Sequence, residues 1–163
     1  MCGRVPAYRC AEDLFEAARS AAAELSAIAR HMDALRSRTG LAAASVAAGV
    51  SGTPGDPCGT DASVAAMDYE RRMAPRVAEN RALLSLACSL LYGDGGGGAA
   101  ALVGYAKADA VWWRYVDARP WCEVAEAVGT SKPTAMRWAR EVFDVVDAVG
   151  IERAMAGTGV AEG

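Results

Sequence analysis

Lys132, Arg137 and Arg140, with hydroxyls at Ser131 and Thr134, fall within ten consecutive residues that contain no acidic side chain. Ammonium and guanidinium groups donate hydrogen bonds to phosphate oxygens and to the O6/N7 edge of guanine, and hydroxyls add contacts to either. Such a cluster suits the binding of a polyanion; it is not equipped to make or break bonds. Acidic residues follow at once, at Glu141, Asp144 and Asp147, so the cationic character is confined to that stretch. The whole chain carries a net charge of −3, and residues 105–163 hold 7 basic and 9 acidic side chains. Affinity for nucleic acid must therefore come from a local patch, since phosphate neutralisation supplies most non-specific binding.

Other chemistry has little to build on. The five cysteines (Cys2, Cys10, Cys58, Cys88 and Cys122) form no C-x-x-C pair, and with one histidine, His31, a zinc site lacks ligands. The thiols read as reduced and His31 as a surface residue. The run GDGGGG at 93–98 satisfies G-x-G-x-x-G. The segment before it reads as a helix, however, and no βαβ unit surrounds it, so a flexible glycine linker is expected. No Ser/His/Asp, Cys/His, metal or phosphate-loop constellation has workable spacing. The expectation is a protein that is not an enzyme and uses neither cofactor nor metal.

The cations need a frame, and the residues around them supply one. Trp121, Val124, Ala125 and Val128 recur at i, i+3, i+4 and i+7, one face of a helix over 120–128. Gly129 takes positive φ cheaply, as a tight turn demands. Ser131 can cap a second helix running to about Val149, with Pro133 in its first turn, where N–H groups lack partners. Ala135 and Trp138 turn inward and Lys132, Thr134 and Arg137 outward; Val142, Val145, Val146 and Val149 continue the inner stripe. Upstream, Ala99 to Ala118 reads as helical with a break near Gly104. Ala110, Trp113, Tyr115 and Val116 face the next two helices, while Trp112 is either exposed or docked on the N-terminal helices. Gly150 should stop the last helix, leaving 157–163 as a disordered tail.

The N-terminal half shows a different period. After a loose start over 1–10, Leu14, Ala18, Ala21, Leu25, Ile28, Met32 and Leu35 alternate spacings of four and three, a coiled-coil seam within a helix over 11–38. Residues 39–60 are rich in Gly, Ala, Ser and Pro and read as a linker. A second helical region spans 61–92, with Met73, Val77, Leu84, Ala87 and Leu91 along its seam and Asn80 at a seam position. Pro75 should kink it or make it start afresh. The expected fold is all-α: an N-terminal antiparallel helical hairpin or coiled coil at 11–92 that oligomerises, then a small three-helix domain at 99–156. Apolar residues make up 53% of the chain, much of it alanine, so core volume is modest. The absence of a signal peptide and the shortness of the apolar run 41–50 point to a cytoplasmic protein without a membrane span.

The segment RYVDARPWCEVAEAVGTSKPTAMRW, Arg114 to Trp138, resembles the C-terminal helix-turn-helix of bacterial sigma factors, which reads the −35 promoter element. Shared features are an Arg-Tyr helix end, an aromatic-acidic-apolar-Ala helix, a Gly turn and a Ser-led second helix. Pro120 stands where a Ser or Thr cap is usual in that family, and Thr130 replaces an apolar turn residue. The layout as a whole is similar to a group of phage-encoded proteins that join two N-terminal helices to such a motif. The segments with which a sigma factor engages core polymerase and melts DNA have no counterpart here. The resemblance implies a helix from Ser131 in the major groove of double-stranded DNA, with Lys132, Thr134 and Arg137 nearest the bases and Arg140 closer to phosphate. It further implies a transcription regulator of a phage or prophage, acting as a homo-oligomer. Two alternatives keep the fold but change the partner: an interaction module binding RNA polymerase or another phage protein, or a DNA-packaging subunit.

Overall fold

The four-and-three spacing of the N-terminal seam is realised as one long helix, α1 (Ala11–Ala47). The computed structural model describes residues 8–47 and 58–159. Every seam residue from Leu14 to Leu35 is buried or half-buried, while Glu12, Glu16 and Arg30 face solvent. The helix passes Arg38 and takes in residues 39–47, which composition had assigned to a linker. Alanine and leucine there favour helix strongly enough to offset one glycine, Gly40. Residues 48–57, the centre of that expected linker, lie outside the described residues. Helix α2 (Cys58–Tyr92) also starts inside it and continues through Pro75 without restarting. Pro75 is exposed, so the carbonyl left without its helical partner can turn to water.

Five shorter helices follow: α3 (Ala99–Val103), α4 (Tyr105–Val111), α5 (Trp121–Ala127), α6 (Lys132–Val149) and α7 (Ile151–Ala156). A π-helical turn, Trp112–Val116, continues α4. No strand occurs among the described residues, and none of their helices is long and apolar enough to cross a membrane. The break expected near Gly104 is present between α3 and α4.

The chain divides into two compact units, one built from Met1–Ala23 with Asn80–Gly163 and the other from Glu24–Glu79. In the second unit, Arg76 Nε lies 2.8 Å from Glu24 Oε1, and the His31 and Tyr69 rings have centroids 4.4 Å apart. The contacts step seven residues forward on α1 and seven back on α2, so these segments run antiparallel. Met32 and Ala66 are buried there, but Leu25, Ile28, Leu35, Met73 and Val77 are only half-buried.

The first unit departs from the expected division at residues 92 and 99. Its core joins Leu14, Phe15 and Ala18 of α1 and Ala87, Leu90 and Leu91 of α2 to Val111, Tyr115, Val142, Phe143 and Val146. The physical reason lies on α6. Its apolar stripe is too long for α5 to cover, and Phe15, off the heptad seam, fills the remainder. Phe15 stacks on Phe143 at 5.4 Å between centroids, and Tyr115 meets both rings at 6.0 and 5.5 Å. Asn80, at the junction of the seam, is buried.

The glycine run 93–98 is likewise not a free linker. Gly98 N–H donates to the Met155 carbonyl at 3.0 Å. At its φ of +79° a Cβ would overlap the Leu91 carbonyl, and one on Gly97 would meet the backbone of Ala156. Glycine is required at 97 because the backbone of α7 approaches closely, and at 98 because the end of α2 does. Composition could not reveal this, since α7 is a six-residue helix beyond the stop expected at Gly150, too short to show a helical period. Within the tail expected to be disordered, Thr158 N–H bonds the Arg153 carbonyl; residues 160–163 lie outside the described residues.

Two substitutions test this packing. Phe15→Ala removes a fully buried ring and should cost about 3–5 kcal/mol of unfolding free energy in denaturant titration. Gly98→Ala should lower the thermal midpoint clearly, by strain at positive φ plus overlap, whereas a flexible linker would tolerate it.

Candidate nucleic-acid interface

The cationic face of α6 is built from its neighbours upward. The chain leaves the π-turn through Asp117, whose N–H reaches back to the Trp112 carbonyl at 3.1 Å, and Arg119 N–H bonds the Trp113 carbonyl at 3.0 Å. The Arg114 guanidinium lies 5.1 Å over the Trp121 ring and donates to the Arg119 carbonyl at 2.9 Å. These contacts aim Pro120 into α5 with an extended backbone and no side-chain cap. The start of α5 is thus set by pinning of the preceding loop and not by a side-chain cap. Arg119 bridges Asp117 at 2.6 Å and Glu123 at 3.0 Å across the same junction.

Helix α5 ends in a Schellman closure. Thr130 N–H bonds the Ala125 carbonyl at 2.9 Å and Gly129 N–H the Glu126 carbonyl at 3.2 Å, with Gly129 at φ +67°. Position 130 contributes its backbone N–H to this closure, so the turn places no demand for an apolar side chain. Ser131 then caps α6: its Oγ accepts from Thr134 N–H at 3.4 Å and lies 2.9 Å from Thr134 Oγ1. Ala110, Val124, Ala125 and Ala135 form a small buried cluster, with Trp113, Trp121, Val128 and Trp138 packed around it. Ala135 is fully buried where α6 crosses α5, a place where a larger side chain would hold the two apart.

On the opposite side of α6, Lys132, Arg137 and Arg140 are exposed. At about 100° per residue they share one outward arc, with Pro133 and Met136 between them. Among the described residues Lys132 and Arg140 make no ion pair. Arg137 Nε is 3.7 Å from Glu141 Oε1, a loose contact. Thr134 is half-buried and its hydroxyl is engaged with Ser131, so capping is its first role. Ser131 is exposed at the N-terminus of α6, where unpartnered backbone N–H groups favour an anion.

Two features of the acidic residues were invisible in the sequence. Asp147 Oδ1 accepts the Ala11 N–H at 2.6 Å, capping the start of α1 with a carboxylate where the helix dipole favours one. Lys107 Nζ lies 2.6 Å from Glu141 Oε2, and this hydrogen bond holds the Glu141 carboxyl below the usual range. Both groups are far apart in sequence from their partners, so no local pattern announces them. Trp112, one of whose two expected positions was exposed, is half-buried against the larger core. Met136 is the site-face residue that sequence reasoning passed over. A shallow groove on the α5 side, lined by Trp113, Arg119, Glu123 and Glu126, carries carboxylates and is a poor seat for an anion. Among the described residues Cys10, Cys88 and Cys122 are free thiols.

No protein-family description matches this chain, and no curated protein or solved structure matches it either. The functional reading therefore rests on the site itself.

The cap makes its own prediction. Ser131→Ala should lower unfolding free energy by about 1 kcal/mol, and Ser131→Asp, which keeps an acceptor, should lose little of it. Chemical denaturation of the two variants checks this.

Proposed function

We propose that the chain is a phage or prophage protein that binds double-stranded DNA, a transcription regulator that lays α6 in the major groove. The observation that carries this reading is the outward arc of Lys132, Arg137 and Arg140 on a helix whose opposite side is wholly taken up by core. The Ser131 cap and the tight glycine turn between α5 and α6 support reading the pair as a helix-turn-helix, in which the second helix presents its N-terminal half to base edges. Lys132 and Arg137 are nearest the bases in this reading, and Arg140 meets phosphate. Of the acidic residues behind the arc, Asp147 is engaged by α1 and Glu141 chiefly by Lys107, with a looser contact to Arg137, while Asp144 faces solvent.

One module with three exposed cations, of which Arg137 is loosely paired with Glu141, binds weakly, and pairing two chains offsets this. Support for a homo-oligomer lies in Glu24–Glu79, a two-helix unit that leaves its seam half-buried and displays Val64 and Met67 at 51% and 65% exposure. An interaction module reading polymerase through Trp112 is less well supported, since that ring is packed on the core. A packaging subunit differs by assembly: ring-sized particles in light scattering favour it, and a dimer favours the regulator.

Lys132→Glu combined with Arg137→Glu should abolish retention of duplex DNA in a low-salt mobility-shift assay while leaving the circular-dichroism melt unchanged. Undiminished retention would sink the proposal. Arg140→Ala should weaken binding evenly across sequences and reduce the log–log salt slope by about 1.

A further inference from the structure

Met136 is 37% exposed and belongs to neither buried cluster. It lies one turn after Lys132 and one turn before Arg140 on the same line of α6, with Pro133 and Arg137 beside it. An unbranched thioether makes no useful contact with phosphate and gains nothing from water, so its place amid cations calls for an apolar surface inside an anionic partner. In the major groove the ordinary bases offer one such group, the C5-methyl of thymine; 5-methylcytosine offers the same group on another base. Resting on the DNA-binding reading above, we infer that Met136 is the specificity residue of α6 and packs against a pyrimidine 5-methyl group. The flanking cations hold the helix against the backbone, and the flexible side chain settles over the methyl and excludes water from it. Covering one methyl is worth about a fourfold change in affinity, one methylene-sized group removed from water.

The test uses the full chain and a duplex that it has itself selected from random DNA. Each thymine is replaced in turn by deoxyuridine, which lacks only the methyl, and each cytosine by 5-methylcytosine; affinities are read by fluorescence anisotropy at one fixed salt. The expected result is one position where deoxyuridine weakens binding about fourfold, and Met136→Ala, an exposed change that favours helix, binding both duplexes alike. Arg140→Ala should weaken both and keep their ratio. A gain of that size on cytosine methylation, with no response to deoxyuridine, assigns the contact to the methylated base. Retention of the duplex with indifference to every methyl overturns the inference alone. Failure to retain any duplex at low salt overturns the DNA-binding reading and this inference with it.

Discussion

One stripe of α6 is buried twice. Ala135 belongs to the small cluster with Val124 and Ala125, while Ala139, Val142, Phe143 and Val146 belong to the larger core with Phe15, Leu90 and Tyr115. A helix with apolar residues along one side and two separate sets of neighbours cannot rotate about its axis without exposing both. The outward arc is therefore fixed by packing on the inward one, and Lys132, Arg137 and Arg140 hold their directions although nothing touches them from outside. Alanine at 135 and 139 lets the neighbours approach closely, and the larger residues further along widen the gap to admit the aromatic group from α1.

Charge is distributed by the same packing. A protein of net charge −3 keeps a cationic surface only locally, and several carboxylates near this one are engaged elsewhere. Asp147 serves α1, Glu141 serves Lys107, and Glu123 and Asp117 share Arg119. Counting charges along the sequence treats these acids as neighbours of the arc. In space they are largely committed to other elements.

Much of the architecture was legible because it rests on local rules. The seam from Leu14 to Leu35, the break at Gly104, the positive φ at Gly129, the cap at Ser131 and the stop at Gly150 each follow from residue type and spacing. Contacts between distant segments were not legible. Phe15 sits off the seam and declares itself only when Phe143 is beside it. The run 93–98 has the composition of a linker, and its packing depends on α7, a helix of six residues, too short to announce itself by period. Trp113 and Tyr115 fall in different clusters, as two residues about 200° apart on a helix must, and the π-helical turn over Trp112–Val116 has no local sequence signal. The arc itself was readable in the sequence; the commitments of the acids around it, and the exposure of Met136 within it, needed coordinates.

The hydrogen bond from Ala11 to Asp147 joins residues 136 positions apart. The small cluster spans only Ala110 to Trp138 and closes through short loops, whereas the larger core requires both ends of the chain. Local contacts form faster than distant ones, so on the ribosome the turn-linked pair α5–α6 has its partners at hand as it emerges. The seam of α1 can pair with α2 as soon as that helix exists, but Phe15 and the Ala11 N–H find Phe143 and Asp147 only after α6 has been synthesised.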